Sequence, residues 1–163
     1  MGDSAADPLE RETTVNGVLQ TLCIELTRAV PADACAVSRV IGLLLVEIAD
    51  HAADGKRLGL GRGYLLPDYP LTQEVIERRE PRAVSVDDPD ADPGEVALLR
   101  ELSYDLLLML PLEIGGRCWG LVEIYRSGSR TFDEHEVATA CEIVGRASIA
   151  LERVQRRAAD AAA

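Results

Sequence analysis

Residues Tyr104 to Ser127 restrict what this chain can fold into more than any other stretch. Leu106 to Leu112 is an apolar run, Gly115-Gly116 follows, and Cys118 to Arg126 returns as a second largely apolar run. Two such runs around a glycine pair specify two antiparallel strands and a tight turn, because glycine accepts positive φ at both turn positions. A hairpin of this kind has no place in a helical bundle or an all-parallel sheet, so the fold must contain antiparallel pairing. A second hairpin is predicted upstream, from Ala34 to Ile41 and from Leu43 to Asp50, with only Gly42 between them.

The remaining segments supply helices. Val15, Val18, Leu19, Leu22, Leu26, Ala29 and Val30 recur at three and four, which predicts an amphipathic helix over 9–30 that ends at Pro31 and Asp33. A long glycine- and proline-bearing loop spans His51 to Pro70, a length usually associated with function or motion. A short helix over 71–79, with Thr72 as its candidate cap, is stopped by Pro81. A brief strand over 82–86, an acidic loop over 87–93 and a helix over 95–102 complete the middle. The last helix is expected over 133–157, opened by Thr131 with Glu134 or by Asp133 with Glu136, both at capping-box spacing. Its stripe is Val137, Cys141, Val144, Ser148 and Leu151, widened by alanines, Ile143 and Val154, and the alanine-rich tail is expected to fray. The result is one α+β domain over 1–163: an N-terminal helix (9–30), the sheet and its loops (34–127) and a C-terminal helix (133–157).

Charge narrows the partners. With 28 acidic against 17 basic residues the net charge is −11, which disfavours nucleic acid and anionic membranes. No apolar run is long enough to span a bilayer, and Met1 to Asp7 lack the basic start and apolar core of a signal peptide, so a cytoplasmic location is expected. Cys23, Cys35, Cys118 and Cys141 form no C-x-x-C pair and sit among apolar neighbours, which reads as buried free thiols. Two isolated histidines, His51 and His135, make no metal site, and no nucleophile motif is present. The chain is therefore not expected to be an enzyme, nor to carry a metal or a cofactor.

Three segments together resemble the GAF domains of phosphodiesterases, phytochromes and bacterial signalling proteins. They are PLTQEVIERREPRAVSV, LLMLPLEIGGRCWGLVEIYR and RTFDEHEVATACEIVGRASIALERV, lying between Pro70 and Val154. The resemblance implies a six-stranded antiparallel sheet, the terminal helices on one face, and a pocket under loops and short helices on the other. It also implies that terminal helices pair between two copies. Val15, Leu22, Val144, Leu151 and Val154 look surplus to what the sheet needs, so a homodimer is expected. The first and last strands should be central neighbours running parallel, which would bring Cys35 and Cys118 close together.

The family's ligand chemistries find few anchors. Phe132-Asp133-Glu134 has the wrong spacing for the cyclic-nucleotide motif. No cysteine lies between Cys35 and Cys118 to hold a bilin or to reduce methionine sulfoxide. His51, at a possible pocket edge, is the only candidate haem ligand and reads better as a solvated loop residue. What remains is a polar set on strands. If Val122 and Ile124 face the helices, Glu123 and Tyr125 face the pocket, and Arg39 and Glu47 interrupt the first hairpin similarly. Glu123, Tyr125, Arg39, Glu47 and Tyr64 are thus the candidate ligand-binding residues, with Arg39 as the expected partner of Glu123 and Tyr125 or Tyr64 as hydrogen-bond donors. An internal ion-pair network is the alternative for the same residues. The expected function is sensing a small polar molecule, and the competing one is a ligand-free dimerisation module.

Overall fold

The computed structural model describes residues 7–59 and 61–163, so residues 1–6, most of the stretch read for a leader, lie outside it. Six strands form a single sheet in the order β3-β2-β1-β6-β5-β4. They are β1 (Ala34–Ile41), β2 (Leu44–Ala52), β3 (Gly63–Leu65), β4 (Arg82–Ser85), β5 (Leu106–Ile114) and β6 (Arg117–Arg126). Every pairing is antiparallel. Both predicted hairpins form, with positive φ at Gly42 in the first turn and at Gly115 and Gly116 in the second. Gly120 has a different role: a Cβ there would lie 2.7 Å from the Ser38 carbonyl oxygen, so only glycine lets β6 approach β1 this closely.

Helices α1 (Pro8–Arg11), α2 (Val15–Ala29) and α5 (Glu134–Ala161) cover one face of the sheet. Cys35 and Val37 of β1, Leu108, Leu110 and Leu112 of β5, and Val122 and Ile124 of β6 meet them there, as strand alternation requires. Ala34, Ala36, Leu107, Met109, Leu121 and Tyr125 point the other way, into a second core beneath α3 (Pro70–Arg78), α4 (Pro93–Leu102) and a 3-10 turn at Leu66–Asp68.

Several expectations change. The first helix is two: after Arg11 the chain turns extended, and the Thr14 hydroxyl caps α2 by accepting from Gly17 N–H at 3.0 Å. Asp133, not Thr131, caps α5, with Asp133 and Glu136 making both halves of the capping box. That helix continues to Ala161, past the point where fraying was expected. β1 and β6 run antiparallel, not parallel. Cys35 lies opposite Ile124, six residues from Cys118, so about 20 Å of strand separates the two thiols and no bridge is feasible. The actual neighbour of Cys35 is Cys23. Cys118 is only half-buried and Cys141 is exposed, so only Cys23 and Cys35 are the buried thiols expected. Leu22, Val144, Leu151 and Val154 are buried within the chain and Val15 is half-buried against the same core, so these positions are not surplus. Among the described residues no helix is long and apolar enough to cross a membrane.

Candidate functional site

The far face of the sheet is where polar side chains gather. On β6, Val122 and Ile124 point to the helices, which turns Glu123 and Tyr125 away from them. On β2 the alternation is broken by a bulge. Val37 pairs with Ala49 but Ser38 pairs with Glu47, so Ile48 is the extra residue. The bulge places Glu47 on the same side as Ser38, which alternation along β1 assigns to the far face with Ala34 and Ala36. Leu45, Tyr64, Leu66, Tyr69, Thr72, Glu95, Leu98, Glu123 and Tyr125 enclose a hollow there. Its volume is ≈ 10 Å³, about the space of one water molecule, so a larger ligand requires the surrounding side chains to move.

The roof is built from α3, α4 and the segment between β2 and α3. Asp92 caps α4 through Gly94 N–H at 2.9 Å and also accepts from Leu71 N–H at 3.2 Å in the first turn of α3. Glu95 accepts from the Thr72 hydroxyl and backbone N–H. Two carboxylates of α4 thus satisfy the open N–H groups of α3, which has no side-chain cap of its own. Thr72 is therefore a buried donor to Glu95 and not the predicted cap. Gly94 lets α4 pack on the 3-10 turn, since a Cβ there would stand 2.8 Å from the Asp68 carbonyl oxygen. At the outer edge Arg62 pairs with Glu101 at 2.8 Å and stacks over the Tyr64 ring at 5.2 Å. Tyr64 in turn meets Tyr69 edge-on at 5.8 Å.

The carboxyls in and beside the hollow are buried. Glu123 is 7% exposed, Glu47 4% and Glu95 1%. Burial, with the negative charges of Glu95 and Glu47 nearby, pushes the Glu123 carboxyl up to about 8, although a hydrogen bond with Tyr125 opposes the rise. Burial and Asp50 push Glu47 up to about 7 against the pull of Gly59 N–H and Arg62. Burial also pushes Glu95 to about 7 in spite of the Thr72 hydroxyl. Tyr64 is raised to about 12 by burial, and Tyr125 is raised well above its ordinary value for the same reason, reinforced by Glu123. Two buried oxygens on this face, Glu47 Oε1 and Ser38 Oγ, have no hydrogen-bond partner.

Of the five residues chosen from sequence, the structure brings Glu123, Tyr125 and Tyr64 together around the hollow and sets Glu47 beside them within electrostatic reach. Arg39 is elsewhere. It lies opposite Gly120, donates to the Trp119 carbonyl at 2.5 Å and stacks on the Trp119 ring at 4.4 Å, so it is not the partner of Glu123. Sequence reasoning missed Glu95, Thr72 and Tyr69, which reach the hollow from helices and a turn. The Asp92-Pro93 start of α4 was the available signal, since a cap there turns the next residues of the first turn toward α3. His51 lies within β2 opposite Cys35, at a distance from the hollow, and His135 is exposed in the first turn of α5.

Comparisons with known proteins agree with this architecture. No curated protein sequence matches the chain. Among solved structures it is similar to the chromophore-binding domain of the Stigmatella aurantiaca bacteriophytochrome, at 17% identity and TM-score 0.70, over 84% of this chain and 53% of that one. The chain therefore spans about half the length of that relative. It is similar to a GAF domain/HD domain protein from Geobacter sulfurreducens at 18% identity and TM-score 0.74, covering 90% of this chain and 97% of that one. A phycocyanobilin-bound GAF domain from a cyanobacterial phytochrome matches at 16% identity and TM-score 0.74, over 88% of this chain and 86% of that one. The model of the GAF domain matches residues 14–151. With the sheet order, the helical face and the enclosed far face all in agreement, the chain belongs to the GAF domain family.

Proposed function

We propose that this protein is a cytoplasmic regulatory domain that senses a small polar molecule in the hollow between the sheet and the α3–α4 roof. One observation carries the reading: Glu123, a carboxyl on a central strand, is turned into an enclosed space among tyrosines with no basic residue among those that line it. Burying such a group costs several kcal/mol unless it is paired or protonated, so its retention there favours a role in recognition. The two structural relatives from phytochromes are named for chromophores they bind, which supports a ligand-binding role for this fold. In the closed form seen here, the Tyr64–Tyr69 pair and the Arg62–Glu101 ion pair cover the edge, and their displacement is the movement that would report occupancy. Thermal melting with and without a library of metabolites tests the proposal. A binder should raise the midpoint by mass action, whereas silence across all compound classes would count against it.

The small volume of the hollow favours a second reading, a ligand-free interaction module that pairs with a second copy through α2 and α5. The one large apolar side chain exposed on α5 is Ile149, at 69%. Light scattering that gives a monomer mass at tens of micromolar would exclude this reading.

A further inference from the structure

We propose that the hollow binds the ammonium head of a small primary amine between Glu47, Glu95 and Glu123, which names the ligand class for the sensing site above and rests on that reading. The chemistry of the far face is one-sided. Two buried carboxyls, Glu95 and Glu123, and three tyrosines line the space, a third buried carboxyl, Glu47, stands beside it, and among the described residues no Lys or Arg lines it. The nearby cations are committed elsewhere: Arg57 to Asp50 at 2.9 Å, Arg62 to Glu101 at 2.8 Å, and Arg39 to the Trp119 carbonyl at 2.5 Å.

Ser38 gives an independent indication. It is fully buried, stands on the far face between Glu47 and Leu121, and its Oγ has no partner, as is also true of Glu47 Oε1. Buried oxygens without partners are rare and call for a donor. A primary ammonium brings three N–H donors and no acceptor, which is what these oxygens lack, whereas an anion would be repelled as soon as the carboxyls ionise. The volume agrees, since ≈ 10 Å³ suits a water-sized head and not a planar guanidinium. The carbon tail of the amine would leave past the rings of Tyr64 and Tyr69, which offer it apolar contact. A net charge of −11 draws cations toward the molecule from a distance.

Without a cation these carboxyls hold protons near neutral pH, so an amine must displace them. The groups that set this balance are Glu47 and Asp50 on β2, Arg62 and Tyr64 at the edge, Tyr69 and Thr72 on the roof, Glu95 on α4, and Glu123 and Tyr125 on β6. Affinity should therefore rise with pH across the range in which the three carboxyls ionise, from about 7 for Glu47 and Glu95 to about 8 for Glu123.

Calorimetric titration of the whole chain with methylammonium chloride tests the proposal, with potassium chloride and tetramethylammonium chloride as controls for charge and size. The expected result is saturable methylammonium binding, about tenfold tighter at roughly pH 8 than at roughly pH 6, and little response to either control. Glu123→Gln should weaken it about tenfold or more. If that variant does not fold, Glu47→Gln and Ser38→Ala should each weaken binding as well. No saturable binding, equal binding by the variants, or no pH dependence would overturn the assignment. If a neutral or anionic metabolite raises the melting midpoint while methylammonium does not bind, the ammonium assignment falls and the sensing site stands. If no compound of any class binds, both fall.

Discussion

Glu123 holds its carboxyl where ionisation is costly, and this has a measurable consequence for stability. Its folded value, about 8, lies above its ordinary 4.5, so between these limits the folded state binds more protons than the unfolded one. Stability from this group is therefore greatest below about 4.5 and declines as pH rises toward about 8. Glu47 and Glu95, raised to about 7, act in the same direction. Glu123→Gln should flatten the alkaline decline and make the variant the more stable protein at about pH 9, which chemical denaturation at several pH values will show. A variant with the same pH profile as the parent would contradict this. Glu123 and Tyr125 were legible in the sequence because Val122 to Tyr125 alternates between aliphatic and polar positions. Arg39 was misplaced because the first part of β1 is small and buried on both faces, so its pattern does not say which way a side chain points. Glu47 was chosen for interrupting an apolar run, yet the bulge at Ile48 that sets its direction leaves no mark in composition.

Among the elements, α5 depends on a buried electrostatic junction as well as on its apolar stripe. Glu136 receives Arg126 at 2.9 Å and Arg130 at 2.7 Å and also completes the capping box with Asp133. Burial raises the Glu136 carboxyl, but its hydrogen bonds from Arg126, Asp133 N–H and Arg130 outweigh that and hold it near 2. Its contribution is present above about 4.5 and is lost as pH falls toward 2, opposite in sign to that of Glu123. The two trends together predict a stability maximum at mildly acidic pH. Glu136→Ala leaves the buried Arg126 guanidinium without its carboxylate and should cost about 3–5 kcal/mol in urea unfolding, against about 1 kcal/mol for Asp133→Ala. Equal losses would show that the cap alone matters. On the roof, Thr72→Val removes the hydroxyl that serves Glu95 and should cost about 1–3 kcal/mol, where a true helix cap exposed to solvent would cost less. The long elements were legible because each carries a full period of apolar residues. β3 was not, since three residues tied to β2 by backbone pairing display no alternation. The break between α1 and α2 was hidden for a similar reason: the apolar recurrence begins only at Val15, so nothing between Leu9 and Val15 reports the interruption, which is made by the Thr14 cap.

At the scale of the whole molecule, one face of the sheet carries the terminal helices and the other gathers the buried polar side chains. The helical side is filled by α2 and α5, which take up the apolar positions that looked free in the sequence. The far side combines a carboxyl floor with a tyrosine-rich roof and leaves room for about one water. A tetrapyrrole does not fit that space, and no cysteine lies between Cys35 and Cys118 to anchor one, so purified protein exposed to bilin should show no visible absorption band after gel filtration. A band that co-elutes would contradict the closed geometry. The chain has four tyrosines; Tyr64, Tyr69 and Tyr125 line the hollow, and Tyr104 packs on Tyr125 at 5.3 Å. Every tyrosine ring is thus a reporter of the site, while Trp119 lies away from it against the helical core. The most direct measurement is nuclear magnetic resonance of protein labelled at the tyrosine ring carbons, titrated with whichever compound raises the melting midpoint most. The account predicts that the Tyr64, Tyr69 and Tyr125 signals shift in step with saturation. Stabilisation that leaves all four tyrosine signals where they were would contradict it.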